Sequence, residues 1–209
     1  MDKSPSLQIE FQHTISRYST DETLIQSYWL EIKRQYETAG RYYHNLTHLK
    51  NILMELNEIS AEINDWEVIL CSVFYHDIIY DARAQDNEEQ SAQLAKARLS
   101  KLQLPESKID LVFNQIIATK KHQKSTDSDT NYFLDADLSI LGKDWEQYNS
   151  YGQNIRKEYA IYPDDLYNQG RKKALTHFLT LETIFSTPHF QSKYERQARL
   201  NLTREINLL

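Results

Sequence analysis

Apolar positions recur every three or four residues along most of the chain, the period of helices that turn one face to a core. The spacing predicts a helix over about 7–18. A second opens at the capping signal Thr20-Asp-Glu, carries Leu24, Ile25, Tyr28, Trp29 and Ile32, and stops near Gly40. A third covers about 44–60. Asn64-Asp65 can cap a fourth, whose body runs almost wholly apolar to Tyr80, and a helix apolar all round belongs at the centre of a fold. Further helices are expected at about 87–102, at about 105–119 with Pro105 as first residue, at about 130–141 ending at Gly142, and at about 144–160. Pro163 breaks the chain before two more, at about 165–185 and 188–206, and the polar stretches Asp81–Asp86 and Lys120–Asp129 read as loops.

Composition agrees with that pattern. The 209 residues include only four Gly and four Pro, too few for the turns of a hairpin-rich or doubly wound fold. The expectation is an all-α, single-domain bundle of about nine or ten helices over 1–209, with its motif-bearing core at about 41–160 and the helices of 161–209 packed on it. No repeat or linker divides it. The helix at 188–206 is amphipathic and could pack on its own domain or on a second copy, so a homodimer stays open.

A formal net charge of −6, with no Lys/Arg run longer than Lys120-Lys121 or Lys172-Lys173, excludes an extended nucleic-acid surface. A small anionic substrate is not excluded, because a few local cations or a metal suffice to capture one phosphate. The lone cysteine, Cys71, lies in the apolar run Val68–Tyr75 and reads as a small buried hydrophobe, which fits a reducing, cytoplasmic setting. The opening Met1-Asp-Lys-Ser-Pro-Ser-Leu lacks the apolar core of an export signal, and no stretch approaches the ~18 apolar residues of a membrane span.

Chemistry concentrates at three places. His76-Asp77 ends the most hydrophobic segment of the chain, so Asp77 is expected to be buried and to need a cationic partner. His44 and His48 stand at i, i+4 on the face continued by Ile52 and Leu56. Asp137 sits on the apolar stripe of Phe133, Leu134, Ile140 and Leu141, whereas Asp135 shares a face with Asn131 and Ser139. Two imidazoles and two carboxylates on three core helices can satisfy one another by holding a divalent cation, Mn, Mg, Fe, Co, Ni or Zn, or can form a hydrogen-bonded polar core without one.

These residues resemble the HD superfamily, whose pattern is a His, a His-Asp pair and a distant Asp on a helical bundle. Arg41-Tyr-Tyr-His-Asn-Leu-Thr-His-Leu is similar to its first-His motif, Phe74-Tyr-His-Asp-Ile-Ile-Tyr-Asp to its paired motif, and Leu134-Asp-Ala-Asp-Leu-Ser to its terminal Asp motif. Asp86-Asn-Glu-Glu-Gln-Ser-Ala, Ile116-Ile-Ala-Thr with His122, and Ile155-Arg-Lys-Glu-Tyr echo a branch of metal-dependent HD phosphohydrolases of unassigned substrate. The resemblance implies His44, His76, Asp77 and Asp137 as metal ligands and a phosphate ester of a small molecule, such as a nucleotide, as substrate.

A bound divalent cation acidifies water enough to furnish hydroxide near neutral pH. Asp81, one turn after Asp77, is the candidate acceptor of that water's proton, although related nucleotide-cleaving enzymes have Glu-Asp where this chain has Tyr80-Asp81. His48 stands where the family is usually apolar and is a candidate to orient a ligand or substrate. Glu88, in a first helical turn with Glu89, is a catalytic candidate or simply a favourable dipole partner. Lys121, His122, Arg41 and Arg156, with Arg171, are candidate holders of phosphate oxygens, or cations in surface ion pairs. Of the fourteen tyrosines, Tyr42, Tyr43, Tyr159 and Tyr162 could stack on a base or sugar, or be core and rim residues. The competing expectations are a catalytically silent metal- or nucleotide-binding module and a di-iron oxygenase of HD type.

Overall fold

The computed structural model describes residues 6–209; Met1–Pro5, on which the expectation about an export signal partly falls, lie outside them. Among the described residues the chain is all-α, with ten helices and no strand: α1 (Leu7–Ile15), α2 (Glu22–Tyr36), α3 (Leu46–Glu58), α4 (Trp66–Tyr75), α5 (Asn87–Lys101), α6 (Glu106–Ala118), α7 (Ser128–Leu138), α8 (Trp145–Glu158), α9 (Asp164–Thr180) and α10 (Pro188–Leu208). Short 3-10 turns follow α3 at Ser60–Glu62 and α7 at Ser139–Gly142. No helix is long and apolar enough to cross a membrane.

Side-chain caps fix several of the starts. Asp21, Asn45, Asp65 and Asp144 accept from Leu24 N, Thr47 N, Val68 N and Gln147 N, closing orphan amides at the heads of α2, α3, α4 and α8. Pro105 and Pro163 stand one residue before α6 and α9, and Pro188 opens α10. Several helices are shorter than their periodicity suggests. The last apolar residues of the fourth predicted helix, Ile78 and Ile79, follow the end of α4 at Tyr75.

Contacts group the residues into two compact units, one running to Leu134 and one from Asp135 to Leu209, with the division inside α7. In the first unit α4 is the centre: every residue from Val68 to Tyr75 is buried. Phe74 meets Phe11 of α1 and Trp29 of α2 edge-on, with ring centroids 5.3 and 6.2 Å away. A polar pair interrupts that core at low cost because it is satisfied: Ser72 Oγ donates to Gln115 Oε1 of α6 over 2.7 Å. Buried Asp129, at the head of α7, accepts from Asn64 N (3.0 Å) and Asp65 N (2.7 Å), which fastens the start of α7 to the start of α4.

In the second unit α10 buries Phe190, Tyr194, Ala198 and Leu202, four apolar positions at helical spacing. Asn201 Nδ2 donates to Leu141 O and Lys143 O, both at 2.8 Å, capping the carbonyls of the 3-10 turn that α10 lies against. Gly142 allows that approach, since a Cβ there would stand 2.4 Å from Tyr194 Cβ.

Candidate metal centre

The His-Asp pair begins where α4 stops. His76 is the C-cap residue of α4, its backbone amide still bonded to Ser72 O, and the side chain is 1% exposed. Its Nδ1 lies 2.9 Å from the carbonyl oxygen of Val73. A carbonyl can only accept, so Nδ1 carries the hydrogen and, in the neutral ring, Nε2 presents a lone pair. That lone pair faces two other groups: His48 Nε2 at 3.2 Å and Asp77 Oδ2 at 3.1 Å.

The same carboxylate oxygen lies 3.7 Å from His48 Nε2 and 4.0 Å from His44 Nε2. Three imidazole nitrogens therefore converge on one Asp77 oxygen. The carboxylate and the His76 lone pair are acceptors, which are met either by Nε2–H groups of neutral His48 and His44 or by a metal ion. The cluster has a dry end and a wet end. His48 and His76 are 3% and 1% exposed, while the side chains of His44 and Asp77 are 19% and 18% exposed.

His48, His76 and Asp77 form an N/O donor set that suits a divalent cation. Asp137, the remaining distant ligand expected from sequence, belongs to the second unit. His48 thus belongs to the cluster itself rather than to its surroundings, beside His44, His76 and Asp77.

Two local expectations change in detail. His44 and His48 do not share a helix: α3 begins at Leu46 with Asn45 as its cap, and His44 approaches from the preceding turn. His48 keeps the inward face that its spacing predicts, beside buried Leu49 and Ile52. In α7, Asp135 is not the outward residue. It is 1% exposed and accepts from Ser186 N, Thr187 N and Thr187 Oγ1 at 2.8, 2.8 and 2.6 Å, whereas Asp137 is only partly buried. Asp135 is spent on capping the approach to α10.

The other predicted site residues have the following partners. Asp81 lies in the loop after the pair and is gripped by Arg83, with Nε on Oδ1 at 3.0 Å and Nη2 on Oδ2 at 2.9 Å. Those hydrogen bonds hold its carboxyl below the usual range and leave it a weak base. Glu88 is half-buried in the first turn of α5. Its neighbour Glu89 pairs with Lys120, which also donates to Gln85 O and so ties the end of α6 to that loop.

Lys121 is exposed, and His122 follows α6 in the left-handed region with φ 47°. Arg156 closes the turn from α8 to α9 by donating to Tyr159 O, Tyr162 O and Asp164 Oδ1. Arg171 is buried against Glu205, with Nε on Oε1 at 2.7 Å and Nη2 on Oε2 at 3.0 Å, beside Tyr151. Arg41 donates to main-chain carbonyls around His44 and Asp77. Tyr43 packs its ring 4.8 Å from His48, while Tyr42 is half-exposed. Asp129 does not stand out by periodicity, although Ser125-Thr-Asp-Ser-Asp is a run of capping residues and Asp127 does cap Thr130 N.

No family model, curated protein or solved structure matches the chain.

Proposed function

We propose that this protein is a metal-dependent phosphohydrolase that cleaves a phosphate ester of a small molecule such as a nucleotide. The observation that carries the reading is the lone pair of His76 Nε2, fixed by the Val73 carbonyl and aimed at His48 Nε2 and Asp77 Oδ2 within 3.2 Å. A divalent cation held there would supply acidified water as nucleophile and an electrophile for a phosphoryl oxygen. His48, His76 and Asp77 would hold it, with Asp137 the further ligand that the HD pattern implies, and His44 on the wetter side would contribute another donor or orient the substrate. Lys121 and His122 are the cations proposed for the phosphate oxygens, since Arg156 and Arg171 already serve the fold of the second unit. The similarity of its three motifs to the HD pattern supports the same chemistry, and one buried thiol suits the cytoplasm.

One observation favours a second reading, a metal-binding module without turnover. Asp81, the expected proton acceptor, is occupied by Arg83 on both oxygens. The two readings separate in one experiment: metal content is measured on the purified protein, and a panel of phosphomonoesters, phosphodiesters and nucleotides is then screened with Mn, Mg, Co, Ni or chelator. Hydrolysis lost with chelator and in Asp77→Ala supports the enzyme. Stoichiometric metal with no turnover across the panel supports the module, and two tightly bound irons without phosphatase activity support an oxygenase.

A further inference from the structure

Arg41 has the residue type and the position of a phosphate clamp, yet its donors point into the protein. Nη1 donates to Asp77 O over 2.6 Å and to His44 O over 3.2 Å, and Nη2 donates to Ile78 O over 2.9 Å. The guanidinium carbon lies 5.0 Å from the Tyr36 ring centroid and 5.5 Å from that of Tyr80. Both rings also touch the cluster. Tyr36, fully buried at the end of α2, accepts from Asp77 N at 3.2 Å. Tyr80 places its ring 4.3 Å from that of His44, tilted by 30°.

His44 precedes the first residue of α3 and Asp77 follows the last residues of α4, so neither backbone is held by a helical hydrogen-bond ladder. One planar fork spans both segments and satisfies carbonyls on each, which a point-like ammonium cannot do. From this geometry we infer that Arg41, with Tyr36 beneath it, is a positioning residue that fixes the separation of His44 and Asp77 and so tunes the affinity and geometry of the metal centre; it is not a substrate contact. The inference rests on the metal-centre reading above. It also gives Tyr80 a role as the ring between Arg41 and His44.

The test compares the full-length wild type with Arg41→Lys and Tyr36→Phe, using Co(II) as the probe. Arg41→Lys keeps the charge and is expected to weaken Co(II) binding by roughly 10–100-fold, the usual effect of removing a group that orients metal ligands. It should alter the visible Co(II) spectrum and speed amide deuterium exchange in 44–46 and 77–80, while exchange across α4 is unchanged. Tyr36→Phe should accelerate exchange at Asp77 and weaken Co(II) by only a few fold, and it stands in if Arg41→Lys does not fold. Wild-type Co(II) affinity and spectrum in Arg41→Lys, with a raised KM for a phosphate ester as its only change, would make Arg41 a substrate contact and overturn the inference. A wild type that binds no Co(II) would instead remove the metal reading. The exchange pattern would then decide alone, and unchanged exchange in both segments would overturn the clamp.

Discussion

Replacing Asp77 by Ala should uncouple the stability of this protein from divalent metal. Asp77 Oδ2 lies within 4.0 Å of all three imidazole nitrogens, at 4.0, 3.7 and 3.1 Å from His44, His48 and His76. A ligand that binds only the folded state stabilises it by about 2.7 kcal/mol when present at ~100 times its Kd. For a chain of 209 residues, each kcal/mol moves the midpoint by roughly 2–4 °C, so saturating Mn(II) or Co(II) should raise Tm by about 5–10 °C. Without metal, Asp77→Ala should change Tm by no more than a few degrees. The lost hydrogen-bonding partner is offset by relief of a partly buried carboxylate, whose side chain is 18% exposed. With metal, the variant should gain at most a third of the wild-type shift. Differential scanning fluorimetry against a metal titration, with a chelator control, reads both quantities. An undiminished metal shift in Asp77→Ala would refute the placement of the cation at this carboxylate. A wild type insensitive to every divalent ion would mean that protons alone fill the cluster.

Other consequences lie away from the metal centre. Burial pushes the Glu67 carboxyl upward, but hydrogen bonds from Lys108, Tyr18 and Arg17 outweigh it and hold the group at about 2 against an ordinary 4.5. A depressed carboxyl stabilises the fold fully above its ordinary value and loses that contribution as pH falls toward 2. Wild type should therefore lose roughly 1–2 kcal/mol across this window, after solvent screening of the half-exposed Arg17 partner, and Glu67→Gln should be flatter there in urea titrations; equal slopes would contradict it. Cys71 is 1% exposed and its thiol is pushed up to about 12 by burial, so a thiol reagent should modify it only in denaturant, and prompt native labelling would show the α4 core to be open. Gly142→Ala places a Cβ 2.4 Å from Tyr194 Cβ and 2.9 Å from its Cα, neither of which is a flexible tip, and should cost about 1–3 kcal/mol by chemical denaturation; a neutral effect would mean that α10 can move aside.

The periodicity of the chain was enough to settle the all-helical class and to place α4 at a centre, because the run from Val68 to Tyr75, apolar but for Ser72, has no solvent face to offer. It was also enough to turn His48 inward and to mark Cys71 as inert, since both follow from local spacing and neighbours. Even the start of α3 was legible: Asn45 is a strong capping residue, and giving it that weight would have set His44 outside the helix.

Which polar groups meet was not legible. Asp135 and Asp137 could not be ranked from α7 alone, because Phe133, Leu134, Asp135 and Ala136 are all buried and the helix shows no polar face against which to judge them. The partner that decides is the amide pair of Ser186 and Thr187, some fifty residues away. Arg41, Arg156 and Arg171 are the same residue type, and sequence offered each as a phosphate clamp. Only the fold assigns them to carbonyls beside Asp77, to Asp164 and to Glu205. Hydrophobic burial is written into a chain through short-range periodicity, whereas the partner of a buried charge is set by distances between segments that the sequence lists far apart. The elements were therefore determined locally, and the constellation of His44, His48, His76 and Asp77 was decided only when those elements packed.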